Sequence, residues 1–229
     1  MLKNVLFILT IIISGYAYDV LAQPLSDRLK QGDQAIGFKL IDTYDYGRTY
    51  LLEGAEDQYG PRPLQIAVWY PAGKPVEGTS PMTFGDYAFL IATEEILGEP
   101  TEKQKQAVRR EYGSFAGSED ALEKLFGGPM HATKNGKARS GAFPLILYGP
   151  SQNGSAYDNA LLCEYIASHG YIVASVASKG AYHHKMPFNS EGAEAQARDL
   201  EFTAGVMYNF PNVKSKKIRG RRFQFRGIE

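Results

Sequence analysis

The chain has 229 residues, enough for one sizeable domain, and 44% of them are hydrophobic, as in ordinary globular proteins. Its 25 basic and 25 acidic residues cancel, so composition points to no polyanionic partner. A single cysteine, Cys163, excludes an intramolecular disulfide. It falls in a helical run and reads as a small buried hydrophobe rather than a nucleophile.

Residues 1–22 read as a secretory signal. Lys3 supplies the positive start, 5–13 the apolar stretch, and Val20-Leu21-Ala22 a cleavage site before Gln23. The apolar run is too short to span a bilayer comfortably. Export after cleavage near Ala22, with no stable membrane insertion, is the expectation.

A polar lead-in then gives way to residues 37–44, whose partial alternation predicts an edge strand, and 45–48 reads as a turn. Residues 64–70 predict a second strand, with Arg62-Pro63 at its start, where proline is tolerated. Residues 82–130 are helical in texture, an insertion between the second and third strands. There, 87–97 is one helical run. Thr101 with Gln104 forms a capping box for the next helix, and Ser118 caps a third that ends at Gly127-Gly128.

The stretch 143–176 organises the rest. Leu145 to Tyr148 is an apolar run without alternation, as in a strand buried on both faces. Residues 149–154 are a loop by composition, 155–168 has helical spacing, and Gly170 sits where a left-handed residue ends a helix. Residues 171–176 are a second buried strand. Strand, loop, helix and strand make a βαβ crossover with parallel strands, and ligands bind such sheets beyond the strands' carboxyl ends. The loop 149–154 and the segment after Val176 are therefore the places where function is expected.

Beyond Val176, the loop 177–190 holds His183 and His184. Adjacent histidines lack the spacing of a zinc site, and they read as a solvated or pocket-rim pair. No metal or cofactor is predicted. Residues 191–210 form an amphipathic helix with Ala193, Ala197, Leu200, Ala204 and Met207 on its apolar stripe, leaving Asp199 and Glu201 to solvent. His169, just before Gly170, is placed to meet the last carbonyls of its helix. From Lys214 the texture changes to a crowd of lysines and arginines.

The order of these elements resembles the α/β-hydrolase fold. The residues that carry the likeness are Pro63-Leu64-Gln65-Ile66-Ala67-Val68-Trp69-Tyr70-Pro71, Phe143-Pro144-Leu145-Ile146-Leu147-Tyr148, 163–175 with Ala167-Ser168-His169-Gly170-Tyr171-Ile172-Val173, and Ala197-Arg198-Asp199-Leu200-Glu201-Phe202. The branch it is similar to is the dienelactone hydrolase and platelet-activating-factor acetylhydrolase-like esterases, over nearly all of residues 34–213. The fold class implied is α/β, an α/β-hydrolase-type sheet with flanking helices, of which this chain holds the N-terminal portion only. The resemblance implies a small ester substrate and Ser–His–Asp chemistry. It also implies that Ser151 or Gln152 donates a backbone N–H to the oxyanion, and that Tyr148 and Asn153 either orient substrate or serve a turn or cap.

In that family the helix corresponding to 191–210 leads into a strand carrying a Gly-x-Ser-x-Gly elbow with the nucleophile. No such serine follows Val213 here; Ser215 comes too early and lacks the elbow glycines. The codons required by Arg222-Phe223-Gln224-Phe225-Arg226-Gly227, read one base later, permit Gly-Phe-Ser-Phe-Gly-Gly. A frameshift near Ile218 is the inference, making 214–229 an out-of-frame tail and the chain an inactive fragment of an exported serine esterase. The alternative is a secreted, non-catalytic binding module of the same fold. A third reading, an anionic-surface or nucleic-acid binder acting through 214–222, is opposed by export and zero net charge.

Overall fold

The computed structural model describes residues 30–52, 56–75 and 78–214, and the fold occupies the unit that begins at Gly32. The signal expected at 1–22 and the frame change expected near Ile218 lie outside the described residues.

Five strands form one sheet in the order β3-β1-β2-β5-β4. They are β1 (Ala35–Leu51), β2 (Tyr59–Ala72), β3 (Ala132–Lys134), β4 (Leu145–Tyr148) and β5 (Ile172–Val176). Only β2 runs against its neighbours; β1 pairs with β3, and β4 with β5, in parallel. This is a mixed α/β sheet with flanking helices, and the predicted crossover is present. The helix between β4 and β5 is shorter than the sequence implied, because Ser155 to Asn159 form turns before it. Gly170 ends the unit at φ +90°.

The long first strand adjusts two expectations. The three-residue β3, which the sequence did not announce, pairs with Ile36 to Phe38, and beyond Phe38 no named strand among the described residues pairs with that side of β1. The turn expected at 45–48 is instead a bulge, a register shift between Asp45 and Thr49 that lets the strand continue to Leu51. Extra residues on one strand are absorbed by bending, not by reversal.

Helices cover both faces. Three lie between β2 and β3: α1 (Phe84–Leu90), continued by a 3-10 turn to Thr93, α2 (Glu102–Ala116) and α3 (Glu119–Phe126). The Thr101–Gln104 capping box and the Ser118 cap form as predicted. With α4 (Ala160–Ser168), α1 packs Tyr87 and Leu90 against Phe38, Ala67, Trp69 and Val173. On the opposite face, α5 (Ser190–Tyr208) lays Met207 and Val206 against Ile66, Val68, Tyr70, Ile172 and Ala174. Period-two alternation along β2 thus feeds two cores, which is why Ile66 to Tyr70 are apolar or aromatic without a break. His169 Nδ1 lies 2.8 Å from the Tyr165 carbonyl, meeting the helix end as expected. Cys163 is buried, and burial pushes its thiol up to about 12. Among the described residues no helix is long and apolar enough to cross a membrane.

Two differences bear on the site. β4 is half-buried along its length, not enclosed, because among the described residues it ends the sheet; Val213 forms a parallel bridge to Phe143, just ahead of it. And α5 buries Gly192, Ala195, Asp199, Thr203 and Met207, while Ala193 and Ala197 face solvent. The stripe read from small apolar residues is rotated toward a charge.

Candidate functional site

The carboxyl ends of β4 and β5 run into the loops 149–154 and 177–189, and the two loops are stitched together. The Pro150 carbonyl accepts from Ser178 Oγ at 2.9 Å and from Gln196 Nε2 of α5 at 2.7 Å. Gln152 Nε2 donates to the Met186 carbonyl at 2.8 Å, and the Met186 N–H donates to Asn153 Oδ1 at 2.6 Å. Ser178 N–H donates to the Gly154 carbonyl, and Gly154 N–H to that of Ser151. Asn153 takes φ +56°, a left-handed conformation that asparagine tolerates.

Of the sequence-predicted residues, Ser151, Gln152 and Asn153 all lie on this pinned, solvent-facing loop. Among the described residues, the backbone N–H groups of Ser151 and Gln152 have no acceptor. Asn153 spends its side chain on holding Met186. The Tyr148 hydroxyl accepts from Asn159 Nδ2 at 2.5 Å, tying the end of β4 to the start of α4. Both residues therefore have structural partners in place.

Under the loops lies a charged core that sequence reasoning missed. Arg62 and Asp199 are fully buried and meet as a fork: Nε to Oδ1 at 2.7 Å and Nη2 to Oδ2 at 2.6 Å. Arg48, from the β1 bulge, reaches the same carboxylate at 2.8 Å. Arg62 Nη1 donates to the carbonyls of Gly180 and Ala181, so the ion pair anchors the loop after β5. Asp199 is thus not solvated as its helical position implied, whereas Glu201 is exposed. The signal available was Arg62 itself, a charged residue just ahead of the mostly apolar run 64–70.

Lys179 is the second buried cation. Its Nζ donates to the carbonyls of Glu94 and Pro63, at 3.0 and 3.1 Å, and stands 5.1 Å over the Tyr50 ring. Burial lowers its pKa to about 8. Glu94 accepts from Ser155 Oγ and from the Ala156 N–H, each at 2.8 Å, and burial raises it to about 7 against those bonds. Nearby, His184 Nδ1 meets the Glu95 carboxylate; the rim histidine expected from sequence is exposed but carboxylate-bound. Among the described residues no group of three His, Cys, Asp or Glu is placed to hold a metal ion.

Glu94 gives a pH-dependent expectation. Its folded pKa lies above its ordinary 4.5, so the folded state binds the proton more tightly than the unfolded chain. The stability this contributes is complete below 4.5 and is lost as pH rises to about 7. Glu94→Gln removes the titration, so the stability difference between wild type and variant should drift across that window. Urea melts at a series of pH values would show it, and a constant difference would contradict the assignment.

No family model matches the chain, and no curated protein matches it. Among solved structures it is similar to a ferulic acid esterase from Streptomyces cinnamoneus, with 19% identity and a TM-score of 0.41. The likeness covers 64% of this chain and 34% of that one, so this chain spans about a third of that structure's length.

Proposed function

We propose that this chain carries the front half of an exported serine ester hydrolase of the dienelactone hydrolase and platelet-activating-factor acetylhydrolase-like branch. In this reading the loop 149–154 is the oxyanion arm, with the N–H of Ser151 or Gln152 as its donor and a small ester as the substrate. Each such donor, preorganised at the developing charge, is worth about 3–4 kcal/mol. The observation that carries the reading is the placement of Val213. The Phe143 N–H donates to the Asn212 carbonyl at 2.8 Å, and the Lys214 N–H donates to that of Phe143 at 2.9 Å. The chain leaving α5 therefore makes a parallel bridge, Val213 to Phe143, just ahead of β4. A strand continued there runs toward the same end of the sheet as the stitched loop, which is where the family's nucleophile elbow stands.

The chain as given lacks the serine elbow, so it should hydrolyse p-nitrophenyl acetate at the background rate. The same chain read in the shifted frame from Ile218 should turn it over if that frame continues to a later Asp and His. Turnover by the given chain that a serine-directed inhibitor abolishes would overturn the fragment reading. An inert shifted-frame protein that folds would overturn the esterase reading. Resequencing codons 205 to 229 and beyond decides whether the frame change is in the gene.

A further inference from the structure

A groove of about 450 Å³ opens between the helical insertion and α4, lined by Phe84, Tyr87, Ile91, Tyr112, Tyr157 and Asp158 among others. Its walls are apolar and aromatic. The Tyr87 and Tyr157 hydroxyls are bonded, to Glu164 and Gln65 respectively, and both residues are buried, so the more accessible rings are those of Phe84 and Tyr112. Tyr112 stands edge-on to Phe84, with ring centroids 5.7 Å apart.

The one ionisable carboxylate lining it is Asp158, at the exposed rim. It accepts the Ser155 N–H at 3.1 Å and pairs with no lysine or arginine among the described residues. Of the cations on the neighbouring helix, Lys105 pairs with Glu102 and Arg109 with Glu119 and Glu123, while Lys103 and Arg110 line a different groove. Burial raises the Tyr112 phenol, and the negative charges of Asp158 and Glu111 add to that shift.

We propose that this groove binds an arylalkylamine, its ring among the aromatic faces and its ammonium at the Asp158 carboxylate. Aromatic faces attract a cation through the negative side of their quadrupole, and an apolar body with a single charged head matches apolar walls with a single opposite charge. An anionic ligand of the same shape meets repulsion from Asp158. The inference stands apart from the esterase reading, since it uses neither the loop 149–154 nor any nucleophile.

The test is ligand-observed NMR titration of the purified chain with three probes that share a phenylethyl body: 2-phenylethylamine, 2-phenylethanol and 3-phenylpropionate. The amine should bind saturably and about fivefold tighter than the alcohol, with the carboxylate weakest. Asp158→Asn, which keeps an oxygen for the Ser155 N–H, should bring the amine down to the alcohol's affinity. Tyr112→Leu should weaken amine and alcohol together. Thermal melts confirm that each variant is folded; should either unfold, the wild-type ranking decides alone. Equal binding of amine and alcohol, absence of saturable amine binding, or an amine preference surviving Asp158→Asn would overturn the proposal.

Discussion

Replacing Asp199 by alanine should destabilise the fold by about 3–5 kcal/mol, because it strands a fully buried guanidinium. For a domain of this size that lowers Tm by roughly 10 °C. The loss is not confined to one contact. Arg62 holds the Gly180 and Ala181 carbonyls, and the loop they begin carries Met186, which in turn holds Gln152 and Asn153. Asp199→Ala should therefore loosen the stitched loops as well as lower the melting point, and faster amide exchange at Met186 is the signature. The double variant Arg62→Met, Asp199→Leu should recover most of the stability, since a buried ion pair replaced whole by apolar side chains is often neutral. The remaining deficit comes from the two carbonyls left without a donor and from Arg48. A single-variant loss under about 1 kcal/mol would mean that the pair behaves as a solvated one.

The second large effect is expected at Glu164. This buried carboxylate accepts from the Tyr87 hydroxyl at 2.7 Å, the His131 N–H at 2.9 Å and the Ala132 N–H at 3.1 Å. It thereby joins α4 to α1 and to the segment that forms β3. Burial raises its pKa, opposed by these same three bonds. Glu164→Ala leaves three donors without an acceptor, and a buried donor left unmade costs about 1–3 kcal/mol. Since the three share one site and relax together, about 3 kcal/mol in all is the expected loss. Glu164→Gln keeps an acceptor and should lose about a third of that. Denaturant melts of the two variants give the comparison, and an alanine variant as stable as the glutamine one would refute the role.

What sequence reading reached, and what it did not, follows from the range of the interactions. The caps at Thr101 and Ser118 and the helix stop at Gly170 depend on residues within four positions of one another, and each was read where it stands. The buried strands β2 and β5 announced themselves by runs of apolar residues, because both of their faces are covered. β3 did not, since three residues gain strand form only from the neighbouring β1. The bulge at Asp45 to Thr49 was read as a turn because Asp and Gly favour both. The stripe on α5 was misplaced for a deeper reason: periodicity counts apolar residues, and the residue at its centre is Asp199, drawn inward by an arginine 137 positions away. The loop 149–154 at the carboxyl end of β4 was legible from the strand and turn pattern, whereas the roles of Ser151 and Gln152 come from the resemblance alone. The charged core below the loop was not legible, because each of its pairs joins distant segments.

The indole of Trp69, the only tryptophan in the chain, is fully buried and donates through Nε1 to the Tyr87 hydroxyl at 2.9 Å. That places one fluorophore at the junction where the inserted helices rest on the sheet. Indole emission is sensitive to water and to a hydrogen-bond partner, so the protein carries its own optical gauge of whether those helices are seated. Nothing need be attached to read it, and the signal belongs to one place in the structure.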